Sequence, residues 1–445
     1  MGQRTAILAE ILGFRGWRVF ERFYESGTGQ RIEVRRATPA PAGVRLVLRM
    51  ERRWAPRTAC CGGRRMIAQG QRDRRRWADL PWAGHPVDLE YAPLRVECRR
   101  CNERAVELLA WADPYQRQTR RLQQQMAFES ASMPVEHVAV LHGLNWSTVR
   151  RAELAALLRW ERTRVPPPLR HVGVDEKHLG RRGKRPEPFV TIVSNLETNE
   201  PVWIGWGRRQ ETLQQWLAPL KPEEKASIVL FVMDMHRPFL NAVRADPQLA
   251  HAVVVHDPFH VMKRVGDALD ELRREVFFRA GPESRRLGRG KRWLYLRRWE
   301  KCSEDQQAEL RDFLRLNRTL ARGYQIAEEI RAALHAPDRE AMGLALTHIL
   351  LRTQRRDCVA LRKLHDSLQK HWPELLGLAD HRPATGRVEA LNNNWETLVR
   401  RARGYRDLDY LLHKLRFSAA NPIRTEHGVA RFLALDIPAP FRPKT

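Results

Sequence analysis

The spacing of apolar and polar positions changes several times along this chain, and each change predicts a different kind of element. Near the start, Ile7, Leu8, Ile11, Leu12 and Phe14 fall on one side of an amphipathic helix over residues 5–24. Residues 31–36 and 43–50 then alternate in twos, as strands do, with PAPAG between them as a turn. From 133 to 159 the longer period returns, and MPVEHVAVLHGLNWSTVRRAELAALLR reads as helix, turn, helix. Pro134 suits a first turn. Val135, Val138, Ala139 and Leu141 supply the inner side of the first helix, and Gly143 ends it. Ser147 or Thr148 can cap the second helix, which turns Val149, Ala152 and Leu154 inward and Trp146, Arg150, Arg151 and Glu153 outward. The prolines of VPPPL (165–169) cannot continue a helix and mark a boundary.

Beyond 170 the apolar runs become short and helices come between them. HVGVDEKHL, EPFVTIVSNLE (187–197) and EPVWIGWGR (200–208) read as three strands, ETLQQWLAPLK (211–221) as a helix, and SIVLFVMDM and HAVVVHDPFHVM (251–262) as two more strands. Three meandering strands followed by strands that alternate with helices is the order of a ribonuclease-H-like core, a mixed five-stranded sheet with helices. From 261 to about 378 the three-to-four spacing predicts helix almost throughout, for example at Val261, Val265, Leu269 and Leu272 or at Leu361, Leu364, Leu368 and Trp372. Cys358 lies on that last face and reads as core. RRLGRGKRWLYLRRWEK (285–301) interrupts these helices with a basic loop. Its Trp293, Tyr295 and Trp299 either pack or stack on unpaired bases. A final helical stretch covers 384–417, with a basic surface at Arg400, Arg401, Arg403 and Arg406, and prolines follow 421.

The expectation is a multidomain α/β protein. Residues 1–55 form a helix and β module, 56–112 a zinc-ribbon-like module and 113–165 a helix-turn-helix. Residues 170–262 form the first part of the core, 263–380 an all-helical insertion, 381–420 the last core helix and 421–445 a tail.

Charge narrows the function. Lys and Arg number 79 against 52 Asp and Glu, a net +27 over 445 residues, with a pI near 10.8. Such a balance points to a polyanionic partner, and the predominance of Arg suits phosphate and guanine edges. A ribosomal or membrane-surface protein would share the charge, but neither fits a chain of this size with carboxylates at strand ends. No apolar run reaches membrane-spanning length, and MGQRTAILAEILGF lacks the layout of a signal peptide, so a cytoplasmic, nucleoid-associated protein with no membrane partner is expected.

The six cysteines do not form a disulfide framework for a cytosolic chain of this length. Cys98 and Cys101 make a C-x-x-C knuckle, and Zn²⁺ commonly takes four such ligands. The companion knuckle is irregular: Cys60 and Cys61 are adjacent, Thr58 stands where a paired cysteine would be, and His85 is a possible substitute. The other reading is a ribbon held by packing alone.

The candidate chemistry lies in three acids. Asp175 and Asp234 each close an apolar strand, and Glu389 in GRVEALNNNWETL reads as helical. Hard divalent cations take oxygen ligands, and two Mg²⁺ or Mn²⁺ ions roughly 3.5–4 Å apart can activate a nucleophile and stabilise a leaving oxygen at a phosphodiester. Any one such Asp is more simply a turn or helix cap; two strand ends with a late Glu in this element order favour a metal site. Asp257, after the fifth strand, is a rival for the second place or an orienting group. Lys177, His178 and His236 are either phosphate contacts or solvated side chains.

VGVDEKHLG, FVMDMHRPFLNAV, VVHDPFHVMKRVGDALDELRRE and GRVEALNNNWETLVRRARGYRDLDYLLHKLRF together resemble the DDE transposases of ISL-three-type insertion sequences, over most of the chain up to about residue 417. The resemblance implies a zinc-ribbon-like region, a helix-turn-helix and a ribonuclease-H-like core with a helical insertion. It places the triad on Asp175, Asp234 and Glu389. It also implies two Mg²⁺ or Mn²⁺ ions, a possible Zn²⁺ at Cys60, Cys61, Cys98 and Cys101, and double-stranded DNA at element ends and target. Trp146, Ser147, Thr148, Arg150, Arg151, Lys177, Arg400, Arg401 and Arg403 would contact that DNA. The implied activity is cutting at terminal inverted repeats and joining the freed 3′-hydroxyls to target DNA, by a homo-oligomer, as a dimer on DNA. The alternatives are a structure-selective nuclease that cuts without joining and a DNA-binding regulator with a degenerate catalytic domain.

Overall fold

In a computed structural model, residues 14, 16–32, 43–53, 66–179, 186–278, 281–354, 358–383, 386–402 and 405–434 are described, without the side chains of 66 and 386–392. They form a mixed α/β protein with two compact units. One comprises Met1–Pro166, Val399–Arg403 and Asn421–Thr445, the other Pro167–Leu398 and Gly404–Ala420. No helix among the described residues is long and apolar enough to cross a membrane.

The first unit opens with a correction. Residues 17–25 form strand β1 (Trp17–Glu25), not the end of a helix. Trp17 and Val19 are buried while Arg18 and Phe20 are exposed, and this alternation is satisfied by antiparallel pairing with β3 (Arg45–Arg52). Phe14 and Gly16 are not helical either, and the remaining residues of the expected helix, like Thr58, Cys60 and Cys61, lie outside the described residues. β2 (Arg31–Ile32), β4 (Met66–Gln71), β5 (Arg75–Trp82), β6 (His85–Tyr91), β7 (Leu94–Cys98) and β8 (Arg104–Val106) follow. One sheet runs β2-β1-β3-β6-β5 and a second β4-β7-β8. Trp17, Leu48, Trp77, Leu89 and Trp111 fill the core of the first sheet. Cys98, buried at the end of β7, and exposed Cys101 flank a turn closed by Asn102 N–H to Cys98 O at 2.8 Å. His85 sits in the other sheet, its Nδ1 3.3 Å from Val44 O.

Three helices follow in this unit, Arg120–Ser132, Val135–His142 and Trp146–Arg162, and a later one, Glu426–Leu433, packs on the first of them. Leu122, Met126, Val138, Ala139, Val149 and Ala152 pack together between them. Gly143 takes the left-handed conformation (φ 62°, ψ 34°) that ends the second helix, a conformation costly to a β-carbon-bearing residue. Three details depart from expectation. Asn145 occupies the N-cap position, so Ser147 and Thr148 lie inside the first turn. Leu141 is 63% exposed, and Glu153 is buried. An eight-residue helix crossing a longer one can cover only part of each circumference, and here Val138 and Ala139 make the contact.

The second unit is built on β9 (His171–His178), β10 (Phe189–Asn195), β11 (Glu200–Trp206), β12 (Leu230–Met233) and β13 (Val253–His256), in the order β11-β10-β9-β12-β13. β9, β10 and β11 pair antiparallel, whereas β12 runs parallel to both β9 and β13. Alternation sorts the side chains to two faces. Val172, Val174, Phe231 and Met233 pack on helices Gln210–Leu217 and Arg237–Arg244 through Leu213, Trp216, Phe239 and Leu240. Leu230, Val232 and Val255 face the opposite cluster, which includes Val261, Val265, Leu375 and Leu378.

The long helical stretch begins with Pro258–Arg273 and includes Glu304–Arg315, Arg318–Ala333, Arg339–Thr353, Val359–Lys370 and Trp372–His381. Residues 285–301 are not an open loop: they hold parts of two short helices, Pro282–Gly288 and Arg292–Leu296, and a 3-10 turn. Tyr295 is fully buried and its hydroxyl donates to Leu320 O at 2.9 Å, so it is a packing residue; Trp293, by contrast, is 71% exposed. Cys358 is buried at the start of its helix. Helix Leu408–Ala420 packs on β11, where Arg416 donates to the carbonyls of Pro201 and Val202.

Candidate active site

Register alone brings three acids together. β12 pairs Met233 with Val174 on one side and with His256 on the other. The next residue on each chain is Asp234, Asp175 and Asp257, so three carboxylates stand in a row across three adjacent strands. Each is two residues beyond a position on one face (Gly173, Val232, Val255), and strand alternation puts all three carboxylates on that face. Together with Ile192, Ser194 and His260 they line one pocket.

Asp175 differs from expectation in one respect. It is not where β9 stops, because β9 continues to His178 along β10, with Asp175 opposite Ile192. It is where the parallel pairing with β12 stops, and the carboxylate therefore emerges beside a gap in the sheet. Its Oδ1 accepts from Glu176 N–H at 2.7 Å, and Lys177 Nζ lies 2.8 Å from its Oδ2. Asp234 Oδ1 accepts from Met235 N–H at 2.5 Å, leaving Oδ2 toward the pocket. Asp257 is the N-cap of helix Pro258–Arg273, with Oδ1 accepting from Phe259 N–H at 2.9 Å. Burial raises the Asp257 carboxyl above its ordinary value, and the charges of Asp175 and Asp234 add to the rise while Phe259 and His260 oppose it. Like charges brought this close resist joint ionisation unless a cation is present.

His260 is the residue whose importance the sequence did not reveal. It sits one turn past the cap, with Nδ1 3.5 Å from Asp234 Oδ2 and Nε2 3.7 Å from Asp175 Oδ1 and 4.0 Å from Asp257 Oδ2. The signal was D-P-F-H at a strand-to-helix junction: Pro258 at the first helical position starts the turn that carries His260 back over the strand ends. His236 is not a solvated side chain. Its Nε2 meets Arg208 O at 3.0 Å, its Nδ1 lies 3.8 Å from Glu176, and burial lowers its pKa against the pull of Glu176 and Asp234. Arg208 pairs with Glu176 at 2.9 Å.

The donor set is oxygen-rich and partly buried, with the Lys177 ammonium against only one of its oxygens, which fits a hard divalent metal. Glu389 belongs to helix Gly386–Arg401, but its side chain lies outside the described residues, as do Arg403, Cys60 and Cys61. In the helical triplet, Trp146 is 53% exposed, Ser147 and Arg151 are exposed, and Thr148 and Arg150 are half-buried. Arg150 stacks over the Trp146 ring at 6.0 Å. Arg400 is exposed, whereas Arg401 donates to Ala131 O at 2.6 Å and so anchors backbone.

Comparison with known proteins covers both regions. The DDE transposase family of ISL3 type, described as "Transposase", matches residues 172–415. The "Helix-turn-helix domain of transposase family ISL3" matches residues 107–155. The chain is 29% identical over 346 residues to the transposase for insertion sequence element IS1001 of Bordetella parapertussis, covering 77% of this chain and 84% of that protein. It is 24% identical over 397 residues to the transposase for insertion sequence element IS1557 of Mycobacterium tuberculosis, covering 83% and 87%.

Proposed function

Because the chain belongs to the ISL3 family of DDE transposases, we propose that Asp175, Asp234 and Glu389 are the carboxylates that hold its divalent metal ions. It is a DNA transposase, and its helix-turn-helix binds DNA. The observation that carries the assignment is the shared register of Asp175 and Asp234, neighbours on the parallel pair β9 and β12. Asp257, one strand further out and the most buried of the three aspartates, orients rather than ligates: one oxygen is held by its own helix N-terminus, the other faces His260. Its neighbour His260 lies within 4 Å of both ligand aspartates and would help to orient them. The sheet order with its delayed final helix supports reading this unit as a ribonuclease-H-like core.

Mg²⁺ or Mn²⁺, when bound, would activate a water or 3′-hydroxyl and stabilise the leaving oxygen of a phosphodiester. The protein's own share is to gather the acids, to exclude part of the surrounding water, and to offer Lys177 and Arg208 near a backbone phosphate. We read Trp146, Ser147, Thr148, Arg150 and Arg151 as contacts to the terminal inverted repeats, with Arg400 and Arg403 along the duplex. Cutting and joining two ends requires two catalytic chains, so a homodimer on DNA is the proposed working form. A Zn²⁺ ion at Cys98, Cys101, Cys61 and Cys60 would staple the ribbon.

The test is metal-dependent nicking and strand transfer on DNA carrying the element's terminal repeats. Asp175→Asn, Asp234→Asn and Glu389→Gln should each lose at least about a hundredfold in rate, about 2.7 kcal/mol of barrier, with DNA binding retained. Asp257→Asn should lose less. Full loss in Asp257→Asn with activity kept in Asp234→Asn would reassign the second acid, and cleavage without joined product would make the protein a nuclease.

A further inference from the structure

A second cluster of metal-ligating side chains lies at the outer strand β13. His256 ends that strand. His371 caps helix Trp372–His381, and Glu374 lies in its first turn, three residues on and so on the same side. All three are buried, at 0%, 4% and 3% exposure. One ligand atom from each falls within 4.8 Å of the others. His256 Nε2 is 2.9 Å from His371 Nδ1 and 4.0 Å from Glu374 Oε2.

We propose that His256 Nε2, His371 Nδ1 and Glu374 Oε2 bind one divalent transition-metal ion of the zinc class, as a structural clip separate from the catalytic acids. The first support is Glu374 Oε2, a buried carboxylate oxygen with no hydrogen-bond partner. Leaving such an atom bare is costly, and a cation held between it and the two imidazoles would satisfy it. Its other oxygen is held by Arg244, which turns Oε2 toward the imidazoles. The second support is orientation. His256 Nδ1 lies 3.4 Å from Met233 O, so the proton sits on Nδ1 and Nε2 keeps its lone pair, the usual arrangement behind a metal-bound histidine. The third is the backbone. A Cβ on Gly377 would meet Val255 Cγ1 at 2.9 Å, so glycine there allows the helix to lie against β13 and deliver His371 and Glu374. Burial, with His256 alongside, lowers His371 to about 4, and burial lowers His256 as well, so both rings are neutral near pH 7.

Two imidazoles and a carboxylate suit zinc-class ions, whereas Mg²⁺ prefers oxygen alone. Ligand bonds of about 2.0–2.2 Å in a tetrahedron set donor atoms roughly 3.3–3.5 Å apart. The imidazole pair must open by a few tenths of an ångström and the carboxylate close by about as much. The ion replaces the hydrogen bond between the rings, and His371 takes its other neutral tautomer, with the proton on Nε2. A water completes the shell. The clip would hold the chain at the residues just before Asp234 and Asp257, so it would act on where those acids stand without touching substrate.

The experiment uses the full chain, purified, loaded with Zn²⁺, and passed through a chelating resin before its metal content is measured. The parent should retain one more equivalent of zinc than His371→Gln or Glu374→Gln. Co²⁺ in its place should give a tetrahedral visible spectrum whose difference between parent and His371→Gln lacks thiolate charge-transfer bands, which separates it from any ribbon site. Zn²⁺, but not Mg²⁺, should raise the parent's melting temperature above that in chelator, and more than in either variant. Equal zinc content in parent and both variants overturns the proposal. So does a parent that retains no zinc, a result that needs no variant to fold. Zinc-dependent differences that persist in Asp175→Asn confirm that the site is not the catalytic one.

Discussion

Gly173 shows how little room lies behind the carboxylates. A Cβ there would stand 2.7 Å from Leu196 Cδ2 and 2.8 Å from Ser194 Oγ. Gly173→Val should therefore destabilise the protein by roughly 1–3 kcal/mol and displace β9 with Asp175 on it. Thermal melts and nicking rates read both effects; parental values for both would mean that β10 yields freely. Lys177 makes a different prediction. It shares a face with Asp175, and its ammonium competes with a cation for Oδ2 at 2.8 Å. Lys177→Met should lower the Mg²⁺ concentration needed for half-maximal cleavage even if the maximal rate falls. A metal titration with an unmoved midpoint would show that the ammonium leaves without competition. Asp175 and Asp234 were legible in the sequence because each follows an apolar run. His260 was not, because its role depends on two strands far from it in the chain.

At the scale of elements, the helical triplet separates packing from contact. Met126 is fully buried among Leu122, Val138 and Val149, so Met126→Ala should cost about 2–5 kcal/mol of stability. Arg151→Ala should leave the melt unchanged. If that arginine meets phosphate, binding weakens alike on all sequences and the slope of log affinity against log salt falls by about 1. If it meets a base, discrimination at one position falls by about 1–3 kcal/mol instead. Salt titrations on specific and random duplexes distinguish the two. The helix-turn-helix was visible from period and from Gly143. Residues 17–25 were misread because WRVFERFYE offers apolar residues at both spacings. Pairing with β3 decided for strand, since only there do Trp17 and Val19 reach the core. Residues 285–301 were misread as a loop for the converse reason: their charge suggested solvent, yet Tyr295 and the partly buried Leu294 and Trp299 close a helical core.

For the whole molecule, +27 over 445 residues predicts strong and salt-sensitive attachment to any duplex. If six to ten phosphates are neutralised, affinity for random DNA should fall about 10³–10⁵-fold between 50 and 200 mM salt. A fall of less than tenfold would mean that the positive charge lies away from DNA. The amino-acid sequence by itself determined the partner class and most of the elements in their order, and it singled out Asp175 and Asp234 as candidates, because net charge, periodicity and carboxylates that follow apolar runs are properties of neighbouring residues. Only the tertiary structure decided which residues meet. Strand register set Asp257 and His260 beside Asp175 and Asp234, and helix docking set His371 against His256 across 115 residues of chain. Those meetings depend on shape and packing between distant segments, and one residue of slip along a strand would turn each carboxylate to the other face.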